Sequence, residues 1–202
     1  MAPTPVQEHL IHSNQAYASG FTQGDLALPP AKKYAVGLSA SPHPASCLTL
    51  SPSAPPILPL PADSPPVTCM DARIDPAAAY GISLGDAHVI RNAGGNAKDA
   101  LRSLVISEQL LGTTEIVLVK HTGCGMLTFK NEDAAAVVRQ SLGDKAVEGL
   151  GAFNADFQPF PDLEEAVKSD VEFLRRSELI PDSVAISGWV YEVETGKVKS
   201  VV

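Results

Sequence analysis

Basic residues are in short supply: 15 lysines and arginines stand against 23 aspartates and glutamates, and the net charge is −8. A nucleic-acid surface draws its affinity from lysine and arginine replacing condensed counterions, so no DNA or RNA partner is expected. Long apolar runs are also missing. No stretch approaches the roughly 20 residues that cross a bilayer, and "MAPTPVQEHLIHSNQ" has neither the apolar core of a secretion signal nor the arginine-rich pattern of an organelle leader. A cytoplasmic address without a membrane partner is the expectation. Cysteine is scarce as well. Cys47, Cys69 and Cys124 are too few and too far apart for a disulfide framework, and no C-x-x-C pair supports thiol-redox chemistry. Free thiols or metal ligands are left.

What is present is enough for one globular domain over residues 1–202, since 45% of the chain is hydrophobic. One tract interrupts it. Residues 37–66 hold nine of the 17 prolines and many serines, with no lysine, arginine or glutamate. Such a composition cannot build a helix or a central strand, and a structureless loop of that length is unusual inside a compact domain.

Elsewhere helical and strand patterns alternate. "PVQEHLIHSNQAYASGF" carries Val6, Leu10, Ile11 and Tyr17 at helical spacing. "KKYAV" and "VTCM" read as strand, as does "AHVIRNA". After it, Asn96 is a plausible cap for a helix lined by Leu101, Leu104, Val105, Leu110 and Leu111 and ended by Gly112. "TEIVLVKHTG" is a β-branched run of the kind buried on both faces of a parallel sheet. A helix is expected from Asn131, and another after Asp162, whose partner Glu165 completes a capping-box pattern above the stripe Val167, Val171 and Leu174. "ETGK" between two strand-like runs reads as a closing hairpin. The alternation predicts an α/β fold: a mostly parallel central sheet flanked by helices, with a short antiparallel edge.

Three candidate ligands fall at the carboxyl ends of predicted parallel strands, where open α/β sheets form their binding crevice. Cys69 ends one strand; His121 and Cys124 end another in "KHTGCGM". Two thiolates and an imidazole suit Zn²⁺ and leave a fourth tetrahedral position for water. The alternatives are small core cysteines, a hydrogen-bonded core histidine, or a Cys69–Cys124 disulfide. Gly123 and Gly125 beside Cys124 favour a tight turn around a bound group. Asp71 and Arg73, just past the first strand, can pair so that an ionised carboxylate faces whatever Cys69 binds; the other reading is a turn cap and a solvated arginine. "RNAGGNAKDA" offers either backbone amides for an anion or simply a tight strand-to-helix turn.

Together "CMDARI", "GDAHVIRNAGG", "RSLVISEQLLGT" and "HTGCGM" resemble the β-class carbonic anhydrases, in particular their short microbial and fungal type, from about Asn14 to the C-terminus apart from the proline-rich tract. The resemblance implies zinc on Cys69, His121 and Cys124, and an Asp71–Arg73 dyad beside it. It further implies reversible hydration of carbon dioxide to bicarbonate and a proton, and a homodimer or homotetramer in which the N-terminal helix packs on the partner. In some relatives the aspartate itself takes the fourth zinc position. A carbon disulfide or carbonyl sulfide hydrolase of the same fold, or a non-catalytic zinc-binding homologue, are the alternatives. The family's first strand would read about "KKYAVVTCMDAR", which joining Val36 to Val67 restores. The tract is therefore read as a translated intron, with a genuine surface insertion as the second reading. Cys47 lies inside it and is assigned no role.

Overall fold

The computed structural model describes residues 5–23 and 66–202. The strand expected at "KKYAV" and the proline-rich tract up to residue 65 lie outside the described residues, as does Cys47.

The predicted N-terminal helix is present as α1 (Pro5–Ser19), with Ile11 and Tyr17 exposed on its surface. β1 (Pro66–Cys69) leads into a short helix α2 (Pro76–Tyr80), which the sequence pattern did not predict. Its signal was there. Asp75 caps it by accepting from the Ala77 and Ala78 amides, and Pro76 occupies the first turn, where its missing N–H costs nothing. β2 is shorter than expected, Ile90–Asn92. His88 is not in the strand; its Nδ1 lies 2.7 Å from the Ser107 hydroxyl.

Asn96 caps α3 (Ala97–Val105) as expected, accepting from the Lys98 and Asp99 amides. The helix then widens into a π turn over Ile106–Leu110. The extra residue in that turn shifts the helical phase, so Leu110 is 75% exposed instead of lining the core, while Ser107 and Glu108 turn inward. β3 (Glu115–His121), α4 (Asn131–Leu142) and the hairpin strands β4 (Ala185–Glu192) and β5 (Lys197–Ser200) fall where the pattern put them. Between α4 and the hairpin come α5 (Asp144–Gly149) and α6 (Leu163–Arg175). Asp162 caps α6 by accepting from the Glu165 amide.

The described strands form one sheet in the order β2-β1-β3-β4-β5, parallel except for β5 against β4. β3 is buried on both faces. Ile116 and Leu118 join the cluster of α3 and α6, whereas Val117 and Val119 join Ile74, Tyr80, Met126 and Phe160 on the other side. Val167, Val171 and Leu174 of α6 are fully buried, each worth about 1.5–3 kcal/mol over exposure. α6 can approach β4 this closely because position 188 is glycine; a Cβ there would lie 2.4 Å from Val167 Cγ1.

A lysine sits in this core. Lys120, 1% exposed, places Nζ 2.9 Å from Asp170 Oδ2 and donates to the carbonyls of Gly94 (3.1 Å) and Gly95 (3.3 Å). It also lies over the Phe160 ring, 4.7 Å from the centroid. All three ammonium protons thus have acceptors, which is what a buried ammonium requires. The pair ties β3, the turn before α3 and α6 into one unit directly behind the strand ends.

Candidate metal centre

The parallel register sets Thr68 opposite Val119, so the ends of β1 and β3 lie side by side. Cys69, at the end of β1, and His121, at the end of β3, therefore share one rim. Beyond His121 the chain must turn sharply to bring Cys124 back. Gly123 makes that turn at φ +61°, in the left-handed region that side-chain-bearing residues rarely adopt. As a result one donor atom from each of Cys69, His121 and Cys124 lies within 4.8 Å of the others, and all three residues are buried.

The surrounding backbone is held from several sides. Gly95, at φ +58°, lies so close to β1 that a Cβ would come 3.0 Å from the Thr68 carbonyl carbon and 3.1 Å from the Cys69 nitrogen. The "RNAGG" segment is thus a packed turn. Its glycine carbonyls receive Lys120, and Asn92 Oδ1 accepts the Asn96 amide at 2.6 Å. Arg91 was given no role by sequence reasoning, although it stands within "GDAHVIRNAGG". Its Nε donates to the Cys69 carbonyl (3.1 Å) and its Nη2 to the Asp71 carbonyl (2.7 Å), fixing the backbone that carries both side chains.

Asp71 and Arg73 do pair. Arg73 Nε donates to Asp71 Oδ1 (2.9 Å) and Nη2 to Oδ2 (2.7 Å), a bidentate match, and Nη2 also reaches the Gly123 carbonyl (3.0 Å). The Arg73 amide donates to Asp71 Oδ1 too, so the turn-cap reading is realised by the same carboxylate. Arg73 holds the Asp71 carboxyl well below the usual carboxylate range. Asp71 Oδ2 lies 3.7 Å from His121 Nε2, which puts the ionised carboxylate at the edge of the three-donor cluster.

The donors themselves are chemically unsatisfied as a bare set. His121 Nδ1 bonds the Thr122 carbonyl at 2.9 Å, and since a carbonyl only accepts, Nδ1 carries the proton. Nε2 is then a buried atom with no hydrogen-bond partner among the described residues. Burial pushes the imidazole pKa down, but the Cys69 sulfur, the Thr122 carbonyl and Asp71 outweigh it and the net shift is upward. The neighbouring Cys124 thiol draws the Cys69 thiol down against the opposing effect of burial. Cys124 moves up, because Cys69 and burial both disfavour a second thiolate. Both cysteines are free, so the disulfide alternative is not realised. Two buried sulfurs that resist joint ionisation, beside an orphaned nitrogen lone pair, are suited to a divalent cation that would neutralise one and occupy the other.

These features define a class: an α/β protein with a buried sulfur–imidazole donor cluster, able to hold a metal, at the ends of parallel strands. The comparisons with known proteins narrow it. A sequence model of the carbonic anhydrase family matches residues 66–198. Beta-carbonic anhydrase 1 of Mycobacterium tuberculosis is 33% identical over 197 residues, covering 97% of this chain and 98% of the relative. A carbon disulfide hydrolase of Acidianus sp. is 40% identical over 151 residues, covering 65% of this chain and 74% of that one. Among solved structures, a carbonic anhydrase from Glaciozyma antarctica superposes with a TM-score of 0.79 at 37% identity, covering 99% of this chain and all of the other. The chain belongs to the β-class carbonic anhydrase family.

Proposed function

We propose that the chain binds zinc through Cys69, His121 and Cys124 and catalyses the reversible hydration of carbon dioxide to bicarbonate and a proton. The observation that carries this reading is the convergence of three buried donors within 4.8 Å beside the Asp71–Arg73 dyad. Zinc, when bound, supplies a water activated at neutral pH, and three protein ligands leave a tetrahedral position for it. The chain's own groups do the rest. The proton on His121 Nδ1 turns Nε2 towards the cluster as a lone pair. Asp71, kept ionised by Arg73, is an acceptor that orients a water and favours its deprotonated form. Both carboxylate oxygens are engaged by Arg73, which supports a site whose fourth position is left to water.

Stopped-flow carbon dioxide hydration on the zinc-loaded protein tests the reading, with Asp71→Asn as the control. Activity is expected in the wild type and a loss of about 100-fold or more in the variant. Full activity in Asp71→Asn would remove the dyad from the mechanism, and an inert zinc-loaded wild type would favour a non-catalytic zinc-binding protein. The carbon disulfide hydrolase relatives favour one second reading, because the same site could act on another small linear electrophile. Sulfide release from carbon disulfide by the same preparation separates the two.

A homodimer, or a tetramer built from dimers, is part of the proposal. It is supported by α1, whose Ile11 and Tyr17 are 49% and 60% exposed, with Phe21 just beyond at 43%. Sedimentation velocity with and without residues 1–23 checks it, the truncation being expected to weaken association.

A further inference from the structure

We propose that Thr122 and Glu194 form a positioning pair that latches the ligand loop, His121 to Cys124, onto the β4–β5 hairpin and so sets how firmly the metal is held. The inference rests on the zinc-binding function proposed for this site. A loop with ligands at its first and fourth residues and a left-handed glycine between them is not regular structure, so its geometry must be imposed from outside. Thr122 is where that happens. Its amide donates to the Tyr191 carbonyl (3.0 Å), continuing the β3–β4 ladder one residue past His121. Its Oγ1 accepts the Val193 amide (3.1 Å) and donates to Glu194 Oε2 (2.6 Å). The Thr122 carbonyl, in turn, is the acceptor that fixes the His121 tautomer. The peptide that aims the imidazole is thus anchored by amide, hydroxyl and carboxylate together.

Glu194 supplies the one charged contact in this anchor. A hydroxyl donating to a carboxylate makes a short, strong bond. Arg73 holds the next carbonyl of the loop, that of Gly123, and the two grips come close to one point. The point that a Gly123 Cβ would occupy lies 3.7 Å from Arg73 Nη1 and 4.0 Å from Glu194 Oε1. An arginine from the turn after β1 and a glutamate from the hairpin, of opposite charge, therefore both hold the loop close to Gly123. Neither Thr122 nor Glu194 touches the converging donor atoms, so their effect is exerted through His121 and Gly123.

The test is the rate at which zinc-loaded protein loses its metal to a chromophoric chelator, measured for wild type, Glu194→Ala, Thr122→Val and Thr122→Ser. Thermal unfolding confirms that each variant is folded. Outer contacts of this kind are worth ~10–100-fold in metal retention. Glu194→Ala and Thr122→Val are expected to release zinc faster by that factor, while Thr122→Ser, which keeps the hydroxyl, is expected to stay within ~3-fold of wild type on the same reasoning. Wild-type release rates in Glu194→Ala and Thr122→Val would overturn the latch and leave the zinc site standing. Thr122→Ser behaving like Thr122→Val would overturn it too, because the hydroxyl would not be the operative group. A wild type that takes up no zinc would refute the metal reading and this inference together.

Discussion

Replacing Glu108 with glutamine should stabilise the protein increasingly as pH rises from about 5 into the alkaline range. Glu108 lies four residues after Leu104 and eight after Ala100, both fully buried, and the π turn carries it inward. It is 7% exposed, and neither carboxylate oxygen has a hydrogen-bond partner among the described residues. Burial alone pushes its pKa up to about 7. In the unfolded chain the value is about 4.3. The folded protein therefore holds a proton that the unfolded chain releases between those two values. That contribution to stability is fully present below about pH 4.3, falls as pH rises, and is gone once pH passes about 7. Between about pH 5 and pH 8.5 the loss amounts to roughly 2.5 kcal/mol. Glutamine has the same shape and no charge at any pH. Urea unfolding of wild type and Glu108→Gln across that range, at fixed protein and zinc concentration, isolates the effect because other titrating groups cancel in the difference. The variant should gain roughly 2.5 kcal/mol over wild type on going from the acid to the alkaline end. A difference that stays flat with pH would mean that Glu108 reaches water or a countercharge, and the reasoning would fail.

The architecture sets two further outcomes. Lys120→Met should cost about 3–5 kcal/mol in urea unfolding by leaving Asp170 buried without its cation, and adding Asp170→Leu should recover part of that; a single variant within about 1 kcal/mol of wild type would contradict the assigned role. Deleting residues 37–66 joins Val36 to Val67 and removes Pro66, which sits opposite Val117 at the start of a strand flanked on both sides and has no N–H to donate. The shortened chain should melt higher, by about 2–4 °C for each kcal/mol regained, and an equal or lower Tm would favour a genuine insertion.

Much of the fold was legible because its signals are local. β3 announces itself as a β-branched run, Asp162 and Glu165 mark the start of α6, and "ETGK" marks the hairpin. The candidate donors were legible because parallel strands place their carboxyl ends together, so residues far apart in the chain could be expected on one rim. Other features depend on partners that no local pattern names. Leu110 looked like core because a regular 3.6-residue period was assumed, and the π turn breaks that period. Lys120 was hidden in an apolar run, its acceptors lying on the turn before α3 and on α6. Arg91 and Glu194 act through backbone carbonyls and a hydroxyl, contacts that depend on the folded register of β1, β3 and β4.

The central claim is that two sulfurs and one imidazole nitrogen share a single metal ion. X-ray absorption at the zinc edge, on protein stripped of metal and reloaded with one equivalent, tests this directly. The account predicts two sulfur scatterers at about 2.3 Å, one imidazole nitrogen at about 2.0–2.1 Å and one further light atom. A shell made only of nitrogen and oxygen, or one containing a single sulfur, would contradict it.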